Sequence, residues 1–536
     1  MNHWQDFPVP AMRHEAPYGD RVVRCFADRS PSLWAMFEQA RAQHAQQEAV
    51  VCEGRRWTYA QTGQAAERLA AALAARGLAP GDRVVMLMGN RPEFLWVLLA
   101  IQRIGAIAVP VGVREQRPGL AFIAGQCGAR AIVHDDDLSE RVPDAQEAPE
   151  LALRIAAGAL EAALQDDLSP PPPPHVAETD VAVILYTSGT TGRPKGAMLT
   201  HLSIAHSALH YQACMQLRPG DRSALAVPAS HVTGLIAVIV AMWQVGGAVV
   251  VVPQFKAPAF VRLAEAERVS HTLMVPAMYT LCLMCEEFAG ADLRHWRVGG
   301  YGGAPMPVAT IDALAARLPG LTLINAYGAT ETTSPAVMMP AGRTQGHADT
   351  VGVALPAADI RVMDDAGREV APGETGELWI GGPMVVPGYW ANPEATASSF
   401  TAGYWHSGDL GSVDAQGYVR IFDRMKDMLN RGGYKVYSAE VENVLMGWSG
   451  MVEAAVVGRP CPVLGERVHA VLHAPGVPEH ERAAAGAAIR AHCARHLADY
   501  KVPETLEWRD EPLPRNANGK LMKRLLRDSA SAPAAG

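Results

Sequence analysis

The sequence predicts an α/β fold of several lobes followed by a smaller α+β domain, and three observations carry that expectation. From about Trp57 onward, amphipathic helical stretches alternate with short apolar, β-branched ones. Two long apolar runs break in the middle instead of continuing. From about Val351 the texture changes to short segments set off by Gly, Pro and Asp.

The alternation is clearest in "WTYAQTGQAAERLAAALAARGLAPGDRVVMLM" from Trp57, a long amphipathic helix, a Gly-Asp turn and an apolar strand. Repeated units of this kind build parallel sheets covered by helices. The runs "FLWVLLAIQRIGAIAVPV" from Phe94 and "GLIAVIVAMWQVGGAVVVVP" from Gly234 have the length of membrane spans. The first breaks at Gln102-Arg103, the second at Gln244 and Gly246-Gly247, and both then turn β-branched. A buried helix feeding a buried parallel strand explains both runs, and no transmembrane segment is expected. The proline run "SPPPPPH" at Ser169 to His175 reads as an extended surface linker between two α/β lobes. After Val351, "VGVALPAADIRVMDDAGREVAPGETGELWIGGP" has the turn density of a small antiparallel β-unit. Past Asp423-Arg424, strands near "EAAVVG" and "VHAVLHA" and a helix near "ERAAAGAAIRAHCARHL" suggest a separate α+β domain.

A chain of 536 residues exceeds what one core holds, so two or more domains are expected. With 49% hydrophobic and 19% charged residues it reads as well buried. A net charge of -8 disfavours a nucleic-acid partner that needs a basic face, and a small-molecule substrate fits better. Eight irregularly spaced cysteines point to reduced thiols and a cytoplasmic protein. The N-terminus shows no basic-then-apolar signal pattern, which argues against secretion. The single CxxC, Cys282 and Cys285 in "MYTLCLMCEEF", lies on an apolar helix face and reads as buried thiols. The three adjacent carboxylates of "HDDD" from His134 point different ways and read as a loop.

"YTSGTTGRPKG", residues 186 to 196, combines hydroxyl side chains, glycines and Lys195. Such loops hold phosphate, because backbone N–H groups close around oxyanions while the lysine supplies charge. A Walker A element requires Ser or Thr after its lysine, and here Gly196 follows Lys195. What remains is a loop that wraps the outer phosphates of ATP with Thr187, Ser188, Thr190 and Thr191.

This stretch resembles the signature of the adenylate-forming superfamily, which includes acyl-CoA synthetases, luciferases and peptide-synthetase adenylation domains. Further motifs occur in the expected order, and the resemblance spans the chain from "GDRVVMLMGNRPEF" to "NGKLMKRLLR". It implies a large multi-lobed N-terminal domain (1–423) of two α/β lobes and a small β-barrel-like unit, a hinge (424–428), and a small mobile C-terminal domain (429–536).

By the same resemblance, Gly189 joins the phosphate loop. "NAYGATETT" supplies the adenine and metal segment: Asn325 reads the adenine edge, Tyr327 stacks on the ring, Thr330 lies near the phosphate, and Ala326 and Gly328 complete the nucleotide-binding set. Glu331, with Thr187, holds magnesium. "YGGAPMP" brings Tyr301 and Gly302 to the acyl pocket and Gly303 and Ala304 to the adenine side. His231, with Val232 and Gly234 in "PASHVTGL", stands beside the acyl carboxylate, a reading favoured over a satisfied helix cap. Asp409 in "YWHSGDLG" holds the ribose hydroxyls, and Arg424 in "DRMKD" holds ribose or phosphate. Lys426 is the hinge, and Gly432 and Gly433 line the coenzyme A tunnel, although Ser438 stands where many relatives have proline. Lys520 in "PRNANGK" bridges the carboxylate and the α-phosphate.

The implied reaction is AMP-forming acyl-CoA synthesis with ATP, Mg2+, coenzyme A and a carboxylic acid, preferably a medium-to-long aliphatic or aryl acid. An acyl-AMP ligase that loads a carrier protein and a degenerate nucleotide-binding regulatory protein stay as alternatives; a luciferase-like oxygenase is remote. A peptide-synthetase module is disfavoured: the chain ends about sixteen residues after Lys520 without a carrier domain, and no aspartate is evident to pair with an ammonium. A homodimer is compatible with the sequence, which does not fix the oligomeric state.

Overall fold

The computed structural model describes residues 3–164, 169–187, 193–515 and 521–531. The chain forms two compact units. The first comprises Met1–Arg361, Trp379–His406 and Gln416–Val419, the second Val362–Leu378, Ser407–Ala415 and Arg420–Gly536.

The first unit holds the expected parallel sheets. A six-stranded sheet runs Lys195–Thr200, Val181–Thr187, Ile107–Pro110, Arg83–Leu87, Ala129–His134, Leu153–Ala156. All its pairings are parallel except that of Lys195–Thr200 with Val181–Thr187. A second sheet sets Thr322–Tyr327, Val298–Tyr301, His271–Met274, Arg222–Leu225, Ala248–Val251 and Glu48–Cys52 parallel, closed by the antiparallel Arg55–Thr58.

Local chemistry sets the element ends. The helix Tyr59–Ala75 starts on a capping box in which Thr58 and Gln61 satisfy each other's backbone N–H groups. Both long apolar runs resolve into a buried helix and a parallel strand. Phe94, Leu95, Leu98 and Leu99 of the helix Pro92–Arg103 are fully buried, and the strand Ile107–Pro110 follows. Each such side chain stabilises the fold by roughly 1.5–3 kcal/mol. Gln102, which breaks the run, donates from its buried amide nitrogen to the Ala182 carbonyl at 2.9 Å. In the second run, Thr233–Val240 winds as a π-helix before Ala241–Val245 and the strand Ala248–Val251. Hydrophobic periodicity cannot distinguish π from α winding in a stretch that is apolar on every side. No helix among the described residues is long and apolar enough to cross a membrane.

The short segments after Val351 are strands: Gly352–Ala354, Asp359–Met363, Gly376–Gly381, Tyr404–Val413 and Tyr418–Arg424. The second unit adds a five-stranded sheet in the order Tyr434–Val436, Leu429–Arg431, Gly465–His473, Glu453–Cys461, with Thr505–Trp508 parallel to Gly465–His473. Helices Ser438–Met446 and Arg482–His496 pack on it through Val441, Leu445, Ile489 and Cys493.

Cys282 is buried and its thiol is pushed up to about 12 by loss of solvent, while the Cys285 thiol donates to the Cys282 carbonyl. In the loop from His134, Asp135 accepts from Gly89 N at 2.7 Å and pairs with Arg91 at 2.9 Å, and Asp136 accepts from Gly158 N. Those two carboxylates tie loops together.

Candidate active site

In open parallel sheets, ligands bind beyond the carboxyl ends of the strands, where loops diverge and backbone groups are left to bind them. The candidate residues of the first unit lie there. Thr187 ends one strand, Tyr301 another, and Asn325 and Tyr327 a third. His231 follows the strand Arg222–Leu225 by six residues.

Thr187 and Lys195 face each other across an antiparallel pair, so they form the two ends of the phosphate-type loop. Ser188, Gly189, Thr190 and Thr191 lie outside the described residues. The Thr187 hydroxyl donates to Glu331 Oε1 at 3.3 Å, and the Tyr389 hydroxyl donates to the same oxygen at 2.9 Å. The Lys195 ammonium lies 5.1 Å from the centre of the Tyr389 ring, a cation–π arrangement. Glu331 is 7% exposed. A buried carboxylate, a lysine and two hydroxyls thus share one corner.

Tyr389 has no counterpart in the motifs read from the sequence. It reaches the site because the Gly388–Trp390 backbone runs along the strand Lys195–Thr200, with Met198 N bonded to Gly388 O and Trp390 N to Gly196 O. Burial and the Glu331 charge both push its phenol pKa up, so it stays a hydrogen-bond donor. The available signal was an aromatic pair between glycine and proline turns, in "PGYWANP".

The adenine-type segment is tightly built. Tyr301 and Asn325 are register partners on adjacent parallel strands, and both are buried. Gly302 has no room for a side chain, since a Cβ there would lie 2.4 Å from the Ala326 carbonyl oxygen. Gly303 adopts φ +77°, a left-handed conformation that glycine takes without strain; Ala304 beside it is exposed. Gly328 is held equally closely, its hypothetical Cβ lying 2.9 Å from Pro335 Cα. Thr330 opens the 3-10 turn Thr330–Thr332 that carries Glu331. Two left-handed residues, Thr333 and Ser334, turn the chain back, and the Ser334 hydroxyl bonds Tyr211.

His231 Nδ1 accepts from Thr233 N at 3.3 Å and lies 3.1 Å from the Thr233 hydroxyl oxygen. The geometry is that of a turn cap. Val232 is buried, and Gly234 is packed so that a Cβ would meet the Pro228 carbonyl at 2.3 Å.

The remaining candidates belong to the second unit. Asp409 is 5% exposed and its Oδ1 pairs with Arg424 Nε at 2.8 Å. Burial pulls the Lys426 ammonium down. Gly432 and Gly433, at φ +60° and +89°, form the two-residue turn between Leu429–Arg431 and Tyr434–Val436. Lys520 lies outside the described residues. The structure therefore joins Thr187, Lys195 and Glu331 in one group, Tyr301 and Asn325 in another, and Asp409 with Arg424 in a third.

The chain belongs to the AMP-binding enzyme family: that family's profile matches residues 37–390, and the profile of the AMP-binding enzyme C-terminal domain matches residues 440–520. It is 37% identical to a feruloyl-CoA synthase of Amycolatopsis sp over 466 residues, covering 87% of this chain and 92% of that one. It is 35% identical to the fatty acid–[acyl-carrier-protein] ligase ScoC of Streptomyces coeruleorubidus over 506 residues, covering 90% and 94%. Among solved structures, a Mycobacterium tuberculosis fatty acyl CoA synthetase superposes with a TM-score of 0.75 at 31% identity, covering 93% and 98%. The mixed α/β architecture, the adenylate-forming family and the acid–thiol ligase class expected from the sequence agree with these relatives.

Proposed function

We propose that the chain is an AMP-forming acyl-CoA synthetase that activates a carboxylic acid with an uncharged aryl or medium-to-long aliphatic tail. The acid's carboxylate attacks the α-phosphorus of ATP, the α–β bridging P–O bond breaks, and pyrophosphate leaves. The coenzyme A thiol, losing its proton, then attacks the acyl carbon of the mixed anhydride, and AMP departs. The observation that carries this reading is the convergence of Thr187 and Tyr389 on Glu331 beside Lys195, at the carboxyl ends of parallel strands.

In this reading Lys195 and the loop after Thr187 hold the β- and γ-phosphates. Asn325 and Tyr327 take the adenine, and Asp409 with Arg424 the ribose. With both hydroxyls on Oε1, Glu331 can offer its other oxygen to Mg2+, and Thr187 supplies a second hard oxygen; this suits an ion held mainly by phosphate and water. Magnesium supplies charge neutralisation on the phosphates. His231 stands beside the acyl carboxylate, with Val232, Gly234, Tyr301 and Gly302 around it. Lys520 lowers the repulsion between carboxylate and α-phosphate. The C-terminal domain then turns about Lys426 and brings Gly432 and Gly433 to coenzyme A, giving each half-reaction its own arrangement. A cytoplasmic enzyme, in a lipid or aryl-acid pathway and admitting a homodimer, completes the proposal.

The acid class is argued from apolar residues around His231 and from relatives whose names include an aryl and a fatty acid. One relative is named for loading a carrier protein, which keeps that acceptor as the second reading. The test measures pyrophosphate and AMP formation with ATP, Mg2+ and octanoate, palmitate, benzoate or cinnamate-type acids, with and without coenzyme A. Coenzyme A-dependent AMP formation with one acid class, absent in Lys520→Ala, is expected. Pyrophosphate without any response to coenzyme A would instead direct the assay to carrier proteins.

A further inference from the structure

The segment 516–520 lies outside the described residues, but both of its ends are described and both are clamped. Arg515 and Leu521 form an antiparallel bridge, and Met522 N donates to Pro514 O at 2.8 Å. On the entering side, Glu453 accepts from Arg515 Nη2 at 2.5 Å and from Leu513 N at 2.7 Å. On the leaving side, the Lys523 ammonium lies 2.6 Å from Glu442 Oε1 and donates to Ser438 Oγ at 2.6 Å. Lys523 and Glu442 side chains are only 13% and 19% exposed.

Helix stability does not explain this lysine. Lys523 is the first residue of the helix Lys523–Ser531, where the backbone dipole disfavours a cation. Its partners are fixed in their turn: Glu442 accepts from Val456 N at 2.7 Å, and Ser438 Oγ donates to Asp423 at 3.0 Å. Asp423 also accepts from Arg424 N. One turn further along the same helix, Arg527 Nη2 donates to the Lys426 carbonyl at 3.1 Å and to Asp427 at 3.0 Å. Lys523, three places after Lys520, is therefore held to the helix Ser438–Met446, through Glu442 to the strand Glu453–Cys461, and its helix is held through Arg527 to the stretch around Lys426.

We propose that Lys523 and Glu442 are positioning residues for the adenylation half-reaction: their ion pair, matched by that of Arg515 with Glu453, fixes the two ends of the segment that bears Lys520. The inference rests on the reading of Lys520 as the group that meets the α-phosphate. Because that contact serves only the first half-reaction, the clamp has a signature that a general structural role lacks.

The test uses the full chain and the acid found active in the panel. Pyrophosphate release is compared with thioester formation from supplied acyl-adenylate and coenzyme A, in wild type, Lys520→Ala, Lys523→Met, Lys523→Arg, Glu442→Gln and Arg515→Ala. Displacing a catalytic group by about an ångström costs up to roughly 100-fold, so Lys523→Met and Glu442→Gln are expected to slow adenylation by about 10- to 100-fold. Thioester formation from the supplied intermediate should stay within about twofold, and Lys523→Arg, which keeps the charge, should recover part of the loss. Equal loss in both half-reactions, or loss in neither, overturns the proposal. If Lys520→Ala itself adenylates normally, the reading of that lysine fails and the clamp's role with it; if Lys520→Ala is inactive while Lys523→Met is not, only the clamp fails. Should Lys523→Met not fold, Arg515→Ala and Lys523→Arg carry the same split.

Discussion

At the scale of single residues, Glu331 shows how a buried carboxylate is made useful. Two hydroxyls take one of its oxygens, and the lysine nearby sits on an aromatic face without pairing directly. Hydrogen bonds to charged groups contribute about 1.5–3 kcal/mol, so Tyr389→Phe should lower kcat/KM for ATP by roughly tenfold or more. Initial-rate pyrophosphate assays measure this, and an unchanged rate would remove Tyr389 from the site. Gly302 makes a different prediction. With a Cβ forced to 2.4 Å from the Ala326 carbonyl, Gly302→Ala must shift one strand against its neighbour. A destabilisation of about 1–3 kcal/mol is expected, read as a lower urea midpoint with an unchanged slope. The sequence named Glu331 and Gly302 because each lies inside a contiguous motif. It missed Tyr389, which is 58 residues from Glu331 and arrives by backbone pairing of two distant segments, a contact that no local pattern encodes.

At the scale of elements, the legible features were those with a local cause. Gln102 and the glycine pair at 246–247 announce the helix-to-strand breaks, and Gly432-Gly433 announces its turn. The helix His201–Cys214 was less legible, because it is buried on all sides and carries three histidines as core residues. His206 Nε2 accepts from Phe26 N, His201 Nδ1 accepts from Leu33 N, and His210 bonds the Pro356 carbonyl, so these rings dock the N-terminal segment and the loop before Asp359. Burial lowers His201 and His210 to about 4 and His206 to about 3. The folded chain keeps them neutral where the unfolded chain takes up protons, so stability is full above pH 6.5 and falls as pH drops from there toward 4. Melting temperatures recorded between pH 7.5 and 4.5 should decline over that window. Replacing His210 by Gln should flatten the decline, and an unaltered slope would show that other groups set it.

At the scale of the whole molecule, the two units differ in how much chain they need. The first draws its residues from before position 420, whereas the second is stitched from Val362–Leu378, Ser407–Ala415 and Arg420–Gly536. The change of texture at Val351 and the α+β pattern after Arg424 were readable as composition, but the sharing of the intervening strands was not, because it depends on which partner each strand finds. This has a consequence for biosynthesis. While the ribosome adds the residues after 419, Val362–Leu378 and Ser407–Ala415 wait for the largest piece of their unit. At ordinary elongation rates that interval lasts on the order of ten seconds. Nascent chains arrested once residue 419 has cleared the ribosome exit tunnel should be nicked by protease within 362–378 and 407–415, and the same sites should be protected in the released full chain. The strands of the second unit are therefore most exposed to chaperones and to aggregation late in translation, after most of the first unit has been made.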